Sequence, residues 1–309
     1  MRVIDIENIQ YNMRNETQFV LRCEEVFHDK ISAAAAAILN GKKDRPFVAL
    51  TGPSGSGKTT TAMRLKEYLE NLSAPVLLLS MDNFFLDIDK RPKEAQDDWE
   101  NPLCVNAAWL ADCMNELSEG RAVDVPWYDF KTGKTGGTRK MQGDRDAVII
   151  AEGIHMLNPL LLDPMHGRAV GVYVAPRTRI ITADDRIVKP EQVRVARRLI
   201  RDLNTRGHSL RETVERAQNV DRGEVSYIAP YKTNAEIHID TFHDYELCIL
   251  AKYLREIPQF AEELSKDFME QHGLSVLYDV VHTIPPLQTR YVPRNSLVRE
   301  FVGGSSFRY

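Results

Sequence analysis

The sequence predicts an α/β protein, a three-layer sandwich with a mostly parallel central sheet. Three observations carry that expectation. Short apolar runs without polar alternation recur along the chain, as in strands covered on both faces. Helix-like segments fall between them, which parallel connections require. The run Pro46–Thr51 breaks at Gly52 into a glycine-rich turn that opens directly onto a helix.

The elements follow in order. Val3, Ile4 and Ile6 alternate as in a strand, and Glu16–Asn40 reads as a helix stopped by Asn40-Gly41. The strand Pro46–Thr51 precedes a helix over Lys58–Asn71, and Pro75 introduces a second unalternating run, Val76–Ser80. Further buried strands are expected at Ala147–Ala151, Ala169–Val174 and Glu236–Asp240. Helices are expected at Val105–Glu119, Glu191–Asn204, Leu210–Val220 and Tyr245–Glu256. Residues 82–146 read as long and irregular with only that first helix, and a loop of such length in a compact domain is usually functional. Beyond residue 258 come a helix-like stretch, Gln259–His272, a short apolar segment and a loop ending in Gly303-Gly304-Ser305-Ser306. Length alone allows about two domains of roughly 150 residues. The pattern instead predicts an N-terminal segment, 1–45, packed on one core, 46–257, and a C-terminal extension, 258–309.

Composition narrows the function. The 309 residues are 43% hydrophobic and 27% charged, which excludes disordered and collagen-like chains. With 40 Lys+Arg against 44 Asp+Glu, the net charge of -4 argues against a protein that coats nucleic acid. Cys23, Cys104, Cys113 and Cys248 form no CxxC pair and read as reduced thiols of a cytoplasmic protein. The N-terminus MRVIDIENIQYN carries early acids and no apolar h-region, so no secretory leader is expected. Apolar stretches such as Ala33–Leu39 fall far short of the ~20 residues that span a bilayer, so no membrane partner is expected.

The chemistry concentrates at residues 52–59, which fit G-x-x-x-x-G-K-T. In such a loop the backbone amides and the following helix N-terminus cradle phosphate. Gly52, Pro53, Ser54, Gly55, Ser56, Gly57, Lys58, Thr59 and Thr60 are therefore the expected ATP-binding set, with Lys58 on the β- and γ-phosphates and the Thr59 hydroxyl on Mg²⁺. This sharpens the fold class to a P-loop NTPase. No DxxG or NKxD segment supports a GTPase switch, and the strand Val148–Ala151 ends in Glu152-Gly153 instead of the Asp-Glu of motor ATPases. A phosphotransferase acting on a small acceptor fits better. Asp82, just past the second apolar strand, is placed to take a proton from an attacking hydroxyl or to hold metal. Glu152 ends a buried strand, where a charge needs a cation. Arg194, Arg197, Arg198 and Arg201 share one helical face, followed by Arg206-Gly207, and such a lid suits a transferring phosphoryl group. His238 and His243 read as ordinary structure, since no Glu or Cys completes a metal set.

Together these segments resemble the uridine kinase-like branch of the P-loop kinases, whose wider relatives include phosphoribulokinase and pantothenate kinase. The resemblance covers roughly residues 46–255 and rests on GPSGSGKTT at 52–60, MDNFF at 81–85, DDWENP at 97–102, VPWYDFKTGK at 125–134, VIIAEGIH at 148–155 and RRLIRDLNTRG at 197–207. The tail at 292–307 is similar to that of bacterial proteins grouped broadly as nucleoside kinases. The resemblance implies that Asp82 is the general base for a sugar 5′-hydroxyl, and that Thr59, Glu152 and Asp82 surround Mg²⁺. It implies that Arg198, Arg201 and Arg206 are lid arginines approaching phosphates and substrate. Trp99-Glu100 stands where the family has an aromatic residue and an Asp that binds ribose hydroxyls, and Tyr128 and Phe130 match the aromatic wall that holds the base. Two positions depart from the family. Gly133 replaces a pyrimidine-reading His, and His208 replaces the last Arg of the lid segment.

The expected function is an ATP- and Mg²⁺-dependent kinase of a small-molecule hydroxyl, foremost the 5′-OH of a nucleoside, with Asp82, Lys58, Arg201 and Arg206 carrying the transfer. A kinase of a sugar phosphate or pantothenate-like alcohol is the alternative within that chemistry. A non-catalytic nucleotide-binding regulator is the alternative outside it. A small-molecule acceptor and a homo-oligomer are the partners expected.

Overall fold

The computed structural model describes residues 2–96 and 98–308. Asp97, the first residue of the segment DDWENP, lies outside the described residues. The chain opens with β1 (Val3–Asp5), α1 (Ile6–Asn12) and the long α2 (Glu16–Gly41), then β2 (Phe47–Thr51), α3 (Lys58–Asn71) and β3 (Val76–Ser80). Next come α4 (Ala107–Ser118), β4 (Ala122–Asp129), β5 (Lys134–Gln142), β6 (Val148–Glu152), α5 (Pro159–Leu162) and β7 (Ala169–Ala175). Short strands β8 (Arg179–Ile181) and β9 (Ile187–Val188) precede α6 (Pro190–Arg206) and α7 (Leu210–Gly223). The remainder is β10 (Ile237–Asp240), α8 (Glu246–Glu256), α9 (Phe260–Glu263), α10 (Lys266–Gln271), α11 (Ser275–Thr283) and α12 (Arg299–Val302).

The central sheet has the order β10-β7-β2-β6-β3, and every neighbouring pair is parallel. Alternate residues of β2, β3, β6 and β7 enter different cores, which is why those runs lack polar alternation, while the edge strand β10 alternates with His238 exposed. Phe47, Ala49, Ile149 and Ala151 pack with Leu110, Met114 and Leu117 of α4 and Leu161 of α5. Val48, Leu50, Val148 and Ile150 pack on the opposite face with Ile31, Ala35 and Ile38 of α2 and Leu65 and Leu69 of α3. Helices on both faces make the three layers. A third cluster joins α6, α7, α8 and α11 to Ile6 and Phe19 of the N-terminal segment and Val298 and Val302 of the tail. Beside it, β1 pairs in parallel with β8, which pairs antiparallel with β9.

Two elements differ from the sequence expectation. Residues 82–146 hold, besides α4, an antiparallel hairpin that runs from the pair Ala122–Gln142 to the pair Asp129–Lys134. Its second strand, Lys-Thr-Gly-Gly-Thr-Arg-Lys-Met-Gln, has three partly buried positions, Thr135, Gly137 and Met141, of which only Met141 has an apolar side chain, so it carries no period-two apolar signal. The stretch Gln259–His272 is not one helix. It breaks at Leu264-Ser265, and the Ser265 hydroxyl accepts the Phe268 amide (3.3 Å) to start α10 afresh.

Among the described residues no helix is long and apolar enough to cross a membrane. Cys104, Cys113 and Cys248 are buried free thiols, and Cys23 is half-buried.

Candidate active site

The phosphate loop leaves the carboxyl end of β2, the middle strand, where the Thr51 hydroxyl donates to the Gly153 carbonyl (2.8 Å). Open parallel sheets bind ligands at this edge. Side chains hold the loop by its carbonyls. Lys58 Nζ donates to Pro53 O (3.3 Å), Arg194 Nη1 to Ser54 O (3.4 Å) and Arg197 Nη1 to Gly55 O (3.0 Å). Thr241 Oγ1 donates to Ser56 O (2.8 Å) and Thr61 Oγ1 to Gly57 O (2.7 Å). With those acceptors occupied, the donors of the first turn of α3 are what the loop offers an anion. Gly57 caps that helix at φ 85°, and a Cβ there would lie 2.6 Å from Leu297 Cδ1, so only glycine fits.

An anion in fact stands at those donors. Glu300, from α12, accepts from the Thr60 amide (3.2 Å) and the Thr60 hydroxyl (2.6 Å) through one carboxylate oxygen. A side-chain carboxylate held in this way is the behaviour expected of a phosphate cradle. Glu300 was absent from the residues expected of the site, because its sequence position carries no signal.

The acids arrive by strand register. Ser80 of β3 and Leu50 of β2 both pair with Glu152, and Ser80 Oγ donates to Glu152 Oε1 (2.9 Å). Asp82 follows two residues later in a short 3₁₀ turn, exposed to solvent in the cleft. Burial and the nearby Asp82 charge push the Glu152 carboxyl up, against the pull of Lys58. Crowding by protein raises Asp82 as well, opposed by Lys58, Arg206 and Arg201. Burial lowers the Lys58 amine while Glu152, Asp82 and Glu300 raise it. Lys58, Asp82, Glu152, Arg201 and Arg206 therefore share one electrostatic neighbourhood.

Among the described residues neither Asp82 nor Glu152 is ion-paired with a cation, and no group of three His, Cys, Asp or Glu could hold a metal by itself. Were Mg²⁺ bound here, the Thr59 hydroxyl and the two carboxylates would offer it an oxygen-only donor set, which suits that ion, since it takes its remaining ligands from water and substrate phosphates.

The arginines of α6 divide into a pair and a trio with different duties, which corrects the expectation of one phosphate-facing stripe. Arg194 is ion-paired with Glu224 (2.5 Å), and Arg197, fully buried, forms a two-pronged pair with Glu246 (Nη2–Oε2 2.8 Å). Both also hold loop carbonyls, so they build the cradle from outside. Arg198, Arg201 and Arg206 converge instead on Asp202, at 3.6, 2.7 and 3.6 Å. Burial pushes Asp202 up, yet Arg201, Arg206 and Arg198 hold it below its usual value. Three guanidinium groups around one carboxylate leave net positive charge facing Asp82 and Glu100.

The acceptor-side aromatics form one cluster. Phe85 lies 6.2 Å from Trp99, 5.6 Å from Tyr128 and 5.5 Å from Phe130, and Tyr128 stands edge-on to Phe130 at 5.0 Å. Tyr128 is buried, whereas Trp99 (39% exposed) and Phe130 (52%) form the outer wall. Glu100 lies against Gly223 of α7. Burial pushes its carboxyl up to about 7, with Lys58 and Arg198 pulling the other way. Arg91, which drew no attention in the sequence, enters this cluster and donates from Nη2 to the Tyr128 hydroxyl (3.0 Å).

Phosphoryl transfer asks a protein for little covalent chemistry and for much placement of charge. That division of labour, on this fold, marks the molecule as a P-loop kinase, a phosphotransferase. Within that class the chain belongs to the phosphoribulokinase/uridine kinase family, whose profile matches residues 47–247. Curated relatives include the uridine kinase of Brevibacillus brevis, 32% identical over 196 residues, covering 62% of this chain and 83% of the relative. The uridine kinase of Staphylococcus haemolyticus is 32% identical over 197 residues, with 62% and 86% covered. Among solved structures, a Silicibacter sp. TM1040 protein provisionally described as a fructose transport system kinase superposes with a TM-score of 0.53 at 20% identity, covering 68% of this chain and 98% of its own. At that identity the likeness shows the fold.

Proposed function

We propose that the protein transfers the γ-phosphoryl group of ATP to the 5′-hydroxyl of a nucleoside. The observation that carries this reading is Asp82 at the cleft floor, within the fields of Lys58, Arg201 and Arg206, with an aromatic cluster and Glu100 beside it. Asp82 accepts the hydroxyl proton as the new oxygen–phosphorus bond forms and the bond to the β–γ bridging oxygen breaks, releasing ADP. Lys58 and the loop amides hold the donor, and Arg198, Arg201 and Arg206 offset charge on the moving group. Thr59, Asp82 and Glu152 would hold Mg²⁺, which would supply further neutralisation of the phosphate oxygens. Glu100 accepts two ribose hydroxyls, and Trp99, Tyr128 and Phe130 flank the base.

An ADP-release screen across nucleosides, pantothenate and sugar phosphates tests this. Nucleosides are expected to stimulate release. Stimulation by a sugar phosphate or pantothenate alone would overturn the nucleoside assignment, and no stimulation by any acceptor would favour a regulator.

The Glu100 carboxyl also gives the acceptor site a pH dependence. Its value in the fold, about 7, exceeds the ordinary 4.5, so its charged form, which accepts two hydroxyls, grows from a minority below about 7 to the majority above it. The acceptor KM is expected to fall as pH rises from 6 to 8. Glu100→Gln is expected to flatten that fall, and a level wild-type profile would remove Glu100 from the diol contact.

A further inference from the structure

Gly133 stands where uridine kinases carry a reading His, and its left-handed backbone together with the Ile88 side chain beside it disfavours any side chain there. A Cβ at Gly133 (φ 68°) would lie 2.2 Å from Ile88 Cδ1. The segment carrying Ile88 is tied to the hairpin tip: Ile88 N donates to Gly133 O (3.1 Å) and Thr135 N to Asp87 Oδ1 (2.7 Å). Three residues after Ile88, the same segment delivers Arg91 into the aromatic cluster.

Arg91 is 5% exposed, its Cζ 3.8 Å over the Trp99 ring and 5.6 Å over that of Phe85. Besides the Tyr128 hydroxyl, it donates from Nε to Leu86 O (3.3 Å). Its Nη1 is buried without a partner, and among the described residues no carboxylate pairs with it. Burying a guanidinium away from any acid is strongly unfavourable. Stacking on Trp99 offsets part of that, but it gives Nη1 no acceptor. The Tyr128 bond and the Trp99 contact meanwhile fix the fork against the two aromatic residues that flank the base in the proposed function.

We propose that Arg91 is the specificity-determining residue of the acceptor site and reads the edge of the nucleobase, replacing the missing reader at 133. This rests on the nucleoside reading above. A guanidinium has five N–H donors and no acceptor. It therefore favours bases that present a carbonyl oxygen at position 4 of a pyrimidine or position 6 of a purine, as uracil, hypoxanthine and guanine do. Against cytosine or adenine an exocyclic amine faces it, donor against donor. A site built to hydrogen-bond one edge rejects the analogue that leaves its donors unpaired, here by roughly 10–100-fold in kcat/KM.

The test measures kcat/KM for uridine against cytidine and for inosine against adenosine, in the wild type, Arg91→Lys and Arg91→Gln. The wild type is expected to prefer the oxo member of each pair by roughly 10–100-fold. Arg91→Gln, whose amide both donates and accepts, is expected to bring each pair within a few-fold while the KM for ATP stays unchanged. Arg91→Lys is expected to keep part of the preference. A purely structural Arg91 would lower all four acceptors alike in Arg91→Gln and leave the ratios unchanged, which would overturn the proposal. So would a wild type without an oxo preference, a result that needs no variant to fold. Turnover of nucleosides without that preference defeats this inference alone. Turnover of sugar phosphates with no nucleoside active defeats the proposed function beneath it.

Discussion

Asp82→Asn is expected to bind metal-free ATP as the wild type does and to lose about 10²–10⁴-fold in kcat, the range for removing a general base. The substitution keeps the shape of the side chain in its 3₁₀ turn just beyond β3. The direct donor contacts, by contrast, belong to the loop after β2 and to Lys58, so nucleotide affinity measured without Mg²⁺ has no reason to fall. A second consequence follows from charge. The Asp82 charge helps to push Glu152 up, so its removal lets the Glu152 carboxyl ionise at lower pH. Any acid limb that Glu152 imposes on residual activity should then move to lower pH. Single-turnover measurements with saturating ATP and acceptor separate chemistry from product release. An unchanged rate of the chemical step would remove Asp82 from the mechanism, and a large rise in the Kd for metal-free ATP would recast it as a donor-site residue.

The parts of this molecule legible in the sequence are those whose signal is local. Strands β2, β6 and β7 are buried on both faces, so each shows as a continuous apolar run, whereas the edge strand β10 leaves His238 exposed, and the glycine turn at 52–57 follows from the backbone it must adopt. The hairpin β4–β5 was not legible, because much of its surface faces solvent and its apolar residues do not alternate. The arginine stripe was legible only as a stripe. Periodicity puts Arg194, Arg197, Arg198 and Arg201 on one helix, but which of them is paired away depends on Glu224 and Glu246, distant in sequence. Arg91 and Tyr128 meet across 37 positions, and Thr60 and Glu300 across 240. No spacing rule reaches such contacts. The departure at Gly133 was visible as a lost side chain, while its cause, Ile88 filling the space, belongs to tertiary packing.

The Arg197–Glu246 pair shows how the cradle is built from residues that never touch substrate. Both side chains are fully buried, and the guanidinium also donates to Gly55 O (3.0 Å) and Thr241 O (3.0 Å) and lies 4.9 Å over the Phe301 ring. Glu246→Ala leaves that guanidinium buried without its counter-ion, and the expected loss is about 3–5 kcal/mol of unfolding free energy in urea. The double variant Arg197→Met/Glu246→Leu removes both charges and fills the space with apolar atoms, so most of that stability is expected to return. Function should not return with it. Gly55 O loses its donor in the double variant, the loop is held by one contact fewer, and ATP binds more weakly than to the wild type. A loss below about 1 kcal/mol in Glu246→Ala would show that water or another acid satisfies Arg197. Wild-type ATP affinity in the stable double variant would show that the Arg197 contact does not shape the loop.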